Sequence, residues 1–263
     1  MLAYLAAATP RGFHSRDKLL ALFWPESDAE HARNALRQSL HFLRRSLGEA
    51  AIVGRGEEVA ANPDLFECDV VALDQAMDQK DWGRVVQLYR GPFLEGFHMS
   101  GAPDFDRWLE EERDRVRARA LKAGEELSHE HEATGDLAGA VEAARWNLHW
   151  SPASGRSAKR LIELLGHRGD RSGAMRAYES FKTRLAEDYG LEPSEEVEAT
   201  LEAVRKGMRR TEPQDPSRAE SKEVSPVAPR KASGAKPRDL PGAEGRGLSE
   251  PVPPSGNRWP LAQ

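Results

Sequence analysis

A single cysteine, Cys68, excludes an intrachain disulfide and any metal site built on several thiolates, and makes a reducing cytoplasm the expected setting. No run of eighteen apolar residues occurs and mean hydropathy is −0.67, so no segment reads as a membrane span. The opening MLAYLAAATP is apolar, but no basic residue precedes it and it stops after eight residues, which suits neither a span nor a secretory signal. The phosphate loop GxxxxGK[ST], a GxGxxG after a strand, the GxSxG elbow and the HExxH pair are all missing. His129-Glu130-His131-Glu132 sets its histidines two apart on a helix, where they point in different directions. Carboxylates are plentiful, but they sit in helix-surface patterns rather than in apolar surroundings. No metal and no cofactor is expected, and the chain does not read as an enzyme. A net charge of −5 excludes a protein that coats nucleic acid indiscriminately, while leaving room for a local basic patch.

What is present centres on Ala29–Gly48, AEHARNALRQSLHFLRRSLG. Leu36, Leu40, Leu43 and Leu47 recur at steps of four, three and four, which stacks them into one apolar stripe of a helix. The opposite side carries Asn34, Arg37, Gln38, His41 and Arg45, flanked by Arg33 and Arg44. Glu30, in the first turn, is the helix's only acidic residue. A solvated face mixes both signs, whereas this one is built for an anion, with Asn, Gln and Arg available for base edges. Asn34, Arg37, Gln38 and His41 are the expected base readers. Arg33, Arg44 and Arg45, with Arg16 and Lys18 from the preceding helix, are the expected phosphate contacts. Trp24, Phe42 and the leucines are expected in the core.

The flanking segments fit that helix. Residues 1–9 read as an alanine-rich helix with Leu2, Leu5 and Tyr4 inward, broken at Thr9-Pro10-Arg11-Gly12. Ser15 is a good N-cap for a short helix over 16–23, which Trp24-Pro25 closes, and Ser27 or Asp28 caps the next. Three helices in this layout form a helix-turn-helix unit. Two short strands, Ala51-Ile52-Val53 and Glu58-Val59-Ala60, then flank Gly54-Arg55-Gly56, a hairpin wing with Arg55 at its tip and within reach of a phosphate.

From Asp69 onward the pattern is helical. A long helix is expected over about 103–134, with Phe105, Trp108, Leu109, Val116, Ala120 and Leu127 inward. Its pairs Glu110–Arg113, Glu111–Arg115 and Asp114–Arg117 read as a solvated face. Gly135-Asp136-Leu137-Ala138-Gly139-Ala140 returns as Gly169-Asp170-Arg171-Ser172-Gly173-Ala174, an offset of 34 residues, which is the tetratricopeptide period. Asp81-Trp82 resembles a diverged copy. Stacked helix pairs of this kind leave a concave protein-binding surface. After Leu191-Glu192-Pro193, Ser194 caps a last helix through Val197, Leu201 and Val204. The final 56 residues hold ten of the 17 prolines, so 208–263 is expected to be a disordered tail.

Six strings carry a family resemblance: HSRDKLLALFWPE (14–26), ARNALRQSLHFLRRSLG (32–48), YRGPFLEGF (89–97), FDRWLEEERDRVRARAL (105–121), GDRSGAMRAYESF (169–181) and LAEDYGLEPSEE (185–196). Over residues 1–206 the chain resembles the SARP-type (antibiotic-regulatory) transcriptional activators. These join an OmpR-type winged helix-turn-helix to a tetratricopeptide-like bacterial transcriptional activator domain. The resemblance implies a mainly α fold: a partial winged helix-turn-helix of three helices and a β-hairpin over 1–66, and helical repeats over 67–207. It also implies sequence-specific binding of double-stranded promoter DNA through helix 30–47, and activation through contacts with RNA polymerase. Homo-oligomers on direct repeats are implied as well. The family's small sheet before the first helix has no counterpart here. The expectation is therefore an upstream start or a shortened domain, with Leu2, Leu5 and Leu20 exposed. Two functional readings follow: a DNA-binding regulator, or a protein-interaction scaffold whose truncated winged helix no longer binds DNA.

Overall fold

The computed structural model describes residues 1–209. The expected disordered tail, 208–263, lies outside the described residues except for its first two positions, which close the last helix. The described elements are helices α1 (Leu2–Ala7), α2 (Arg16–Phe23), α3 (Ala29–Leu47), α4 (Asp69–Asp78), α5 (Trp82–Leu88), α6 (Pro103–Ala133), α7 (Leu137–Trp150), α8 (Gly155–His167), α9 (Arg171–Tyr189) and α10 (Glu195–Arg209), and strands β1 (His14–Ser15), β2 (Ile52–Arg55) and β3 (Glu58–Ala61). The fold is mainly helical, a partial winged helix-turn-helix followed by tetratricopeptide-like repeats.

The wing is a three-stranded antiparallel sheet in the order β1-β3-β2, not a lone hairpin. Two residues of β1 are too few to show a period in the sequence. Arg55 pairs with Glu58, so the turn is Gly56-Glu57, one step later than expected, with Gly56 at φ +57°. Arg55 therefore stands at the end of β2 rather than at the tip. Gly56 supplies the left-handed conformation that a two-residue hairpin turn requires.

Leu36 and Leu40 of α3 join Tyr4, Leu5, Leu19, Phe23, Ile52 and Val59 in one core, which Phe105 and Leu109 of α6 complete. Leu5 is only 4% exposed, and Leu2 and Leu20 are partly buried. The predicted exposure of these leucines is corrected by α1 packing on β3 and α4 and by the side chains that α6 sends into this core. Two core assignments on α3 are also corrected. Phe42 is 66% exposed and Leu47 44% exposed. Phe42 follows Leu40 by two residues, and that step turns it off the buried stripe, while Leu47 lies in the last turn, past the packed part of the helix.

The helical repeats follow from the capping chemistry. Asp136 and Asp170 accept the Gly139 and Gly173 N–H groups at 2.9 and 2.8 Å, after Gly135 and Gly169 turn the chain at φ +81° and +80°. A Cβ at Gly139 or Gly173 would collide with the capping carboxylate, which explains the recurring small residue. Asp81 caps α5 in the same way, accepting from Arg84 N–H at 3.0 Å, with Lys80 at φ +58° in the glycine's place. The diverged third copy is therefore structural. A separate core joins α7–α10 through Val141, Leu161, Ile162, Leu165, Phe181 and Val197.

The charges of α6 keep only part of the expected solvated face, with Glu110, Glu111, Asp114 and Arg117 exposed. Glu110 does pair with Arg113, at 2.5 Å, but Arg115 turns to Glu112 and Asp74, at 2.6 and 2.9 Å. Arg117 donates to the Trp150 carbonyl oxygen at 2.9 Å. Asp74 is buried on α4 and also receives Arg119, at 2.9 Å, and Arg11 from the loop after α1. Hydrogen bonds to Glu112, the strongest influence, and to Asp74 hold the Arg115 guanidinium above its ordinary range. Arg113 donates to the Phe93 carbonyl at 2.8 Å and the Phe97 carbonyl at 3.0 Å, fixing the aromatic loop.

Candidate nucleic-acid interface

The candidate interface begins with two capped helices. The Ser15 hydroxyl accepts Lys18 N–H at 3.2 Å, and Arg16 N–H donates to the Glu57 carbonyl at 2.9 Å, tying the start of α2 to the wing turn. Asp28 is the residue that caps α3, accepting Glu30 and His31 N–H groups at 3.1 and 3.0 Å. The His31 backbone N–H, then the His31 ring, hold the Asp28 carboxyl below the ordinary carboxylate range. With Ala32, Leu36 and Leu40 buried, the opposite side of α3 faces solvent.

Arg33, Asn34, Arg37, Gln38, His41 and Arg45 are all exposed there. Arg37 donates to Asn34 Oδ1 at 2.9 Å, so two of the expected base readers are joined to each other. Among the described residues no carboxylate pairs with Arg33, Arg37 or Arg45. Arg44 differs from its neighbours. Its side chain is three-quarters buried, donates to the Ile52 carbonyl at 3.1 Å, and lies 3.9 Å from Glu49, so it joins α3 to β2.

Arg55 pairs with Glu58 at 2.8 Å and lies 4.2 Å over the Phe13 ring. Arg16 is partly buried, whereas Lys18 is exposed with its ammonium 5.9 Å over the Tyr4 ring. His14, on β1 of the wing sheet, is buried. Desolvation, reinforced by Lys18 and opposed by Glu58, lowers its pKa. The structure thus brings the α3 candidates onto one face and engages Arg44 and Arg55 in contacts within the protein. Sequence reasoning missed Phe42 as part of that face. The signal that finds it is its spacing, four residues past Gln38 and three before Arg45.

Elsewhere, His131 pairs with Asp136 at 2.9 Å, while Glu132 pairs with Arg160 at 2.7 Å and His167 at 3.1 Å. Among the described residues no group of three or more His, Cys, Asp or Glu is placed to hold a metal ion. No helix among them is long and apolar enough to cross a membrane.

A protein-family model, the bacterial transcriptional activator domain, matches residues 72–205, just over half of the chain. A comparison with curated proteins matches none. Among solved structures, the chain is similar to Mycobacterium tuberculosis EmbR in complex with a low-affinity phosphopeptide, at 20% identity and a TM-score of 0.52. That likeness covers 78% of this chain and 58% of the EmbR chain, so this chain spans less than two thirds of that relative, and the likeness is one of fold.

Proposed function

The chain belongs to the bacterial transcriptional activator domain family, and from that premise we propose that it is a DNA-binding regulator that activates promoters in the cytoplasm. The winged helix-turn-helix, residues 1–66, reads double-stranded DNA, and the repeats of 67–207 contact RNA polymerase or neighbouring protomers. A single observation carries this reading: α3 presents Arg33, Asn34, Arg37, Gln38, His41 and Arg45 on one exposed side whose arginines have no carboxylate partner among the described residues.

In this reading α3 enters the major groove. Arg37 forks onto guanine, and Asn34 or Gln38 onto adenine. His41 supplies a further ring nitrogen to the same groove. An Asn–adenine pair uses both amide atoms, so Asn34 exchanges its Arg37 partner for the base as the complex forms. Arg33, Arg45, Lys18 and Arg16 set the register on phosphates. Arg55 reaches a phosphate when it leaves Glu58, and Arg44 holds the wing against α3 while adding its charge.

The test is selection of binding duplexes from a random pool with the full chain, followed by polarization titration of the enriched and random duplexes. The expected result is an enriched sequence bound at least about a thousandfold more tightly than random DNA. Equal binding to both, or no enrichment, overturns the reading and leaves the scaffold alternative.

A further inference from the structure

We propose that Phe42 reads a thymine, through contact of its ring with the base's C5-methyl group. The inference rests on the assignment of α3 as the recognition helix and extends it to a residue with no hydrogen-bonding group. Phe42 is the most exposed large apolar side chain among the described residues, and it belongs to no hydrophobic core among them. Phe13, the other exposed phenylalanine beside this interface, is covered by the Arg55 guanidinium at 4.2 Å. Among the described residues no ring or cation stacks on Phe42.

Its position gives the ring a use. Asn34, Gln38 and Phe42 follow one another at four-residue steps, which lines them along one side of the helix, with Arg45 next to Phe42 a turn further on. Three consecutive positions of that line therefore present an amide, an amide and a ring. An anion-facing surface without acidic residues around Gln38, His41 and Arg45 suits nucleic acid better than an apolar protein partner. In the major groove only thymine offers an apolar group, its methyl, while the other bases present donors and acceptors that a phenyl ring leaves unpaired. A phenylalanine in this line consequently discriminates by burying the methyl and by failing to satisfy cytosine, adenine or guanine.

The experiment uses the duplex enriched by the full chain, with each thymine in turn replaced by deoxyuridine, which lacks only the methyl. The wild type is expected to lose roughly fourfold in affinity at one position, the equivalent of one buried methyl. Phe42→Ala should bind the thymine and deoxyuridine forms of that position equally, and Phe42→Leu should keep the preference. Both changes fall on an exposed side chain, and circular dichroism checks that the fold is intact. A flat deoxyuridine scan for the wild type, or a Phe42→Ala protein that still discriminates as the wild type does, overturns the assignment of Phe42 while leaving the regulator reading in place. A change in oligomeric state on Phe42→Ala with an unaltered thymine-to-deoxyuridine ratio also overturns it, in favour of a protein contact. Failure to enrich any sequence removes the recognition helix itself, and this inference with it.

Discussion

Helices α3 and α6 are both rich in arginine, and they use it in opposite ways. On α3 the arginines share their face with one acidic residue in the first turn, and Arg33, Arg37 and Arg45 have no carboxylate partner among the described residues. On α6 they alternate with Asp and Glu, and Arg113, Arg115, Arg117 and Arg119 all end on a carboxylate or carbonyl oxygen. Three arginines from two segments share the buried Asp74, a carboxylate that could not be left alone at that depth. An arginine-rich helix thus leaves its cations unpaired where acids are missing and becomes a structural clamp where they are interleaved. The comparison also shows that interleaving does not mean solvation.

The largest effect should come from the clamp. Asp74→Ala leaves Arg11, Arg115 and Arg119 without their shared acceptor, and urea unfolding should show a loss of about 3–5 kcal/mol. An unchanged midpoint would return α6 to the class of solvated helices and erase the contrast. On α3, Asn34→Ala or Arg37→Ala should cost about 1–3 kcal/mol of binding to the preferred duplex, much less on random DNA, with stability nearly unchanged. Arg44→Ala falls between the two helices, since Arg44 lies on α3 but bonds the Ile52 carbonyl. It should lower stability by about 1 kcal/mol, and a binding loss without any stability loss would place Arg44 back among the phosphate contacts.

Smaller changes sharpen the same division. Arg33→Ala or Arg45→Ala should weaken binding evenly across sequences and make the dependence of log affinity on log salt shallower by about 1. His14 gives a pH test of the sheet behind α3. Its pKa is lowered in the folded protein, chiefly by burial, so between the folded value and the unfolded value near 6.5 the unfolded chain binds more protons. Stability should therefore fall as pH drops through about 6.5 toward the folded value. In unfolding midpoints from pH 7.5 to 5.5, His14→Asn should remove that slope.

Much of the fold was legible because short-range chemistry decided it. The bounds of α2, the cap pairs Asp136–Gly139 and Asp170–Gly173, and the leucine stripe of α3 all depend on neighbours within four residues. The exposed polar face of α3 was legible for the same reason, since a period of 3.6 assigns sides without knowledge of the partner. Strand β1 was not, because its two residues are defined only by pairing with β3. Nor was Phe42's exposure, because a phenylalanine's composition argues for burial while its angle on the helix argues against it. Asp74 looked like any surface aspartate, and only the approach of α6 and the Arg11 loop made it a buried hub.

The sequence alone determined that α3 would be an amphipathic helix with an acid-poor outward face, and that helix pairs would repeat after it. Both are consequences of local spacing, which a single helix expresses wherever it is packed. Tertiary structure decided which arginines remain available. Arg44 and Arg55 stand close to Arg45 in composition and charge, yet a carbonyl of β2 takes the first, and Glu58 with the Phe13 ring takes the second. Whether a cation is a free contact or a tie depends on which acceptors the chain brings within about 3 Å, and here the pairing of the wing strands, which no helical period encodes, brings them.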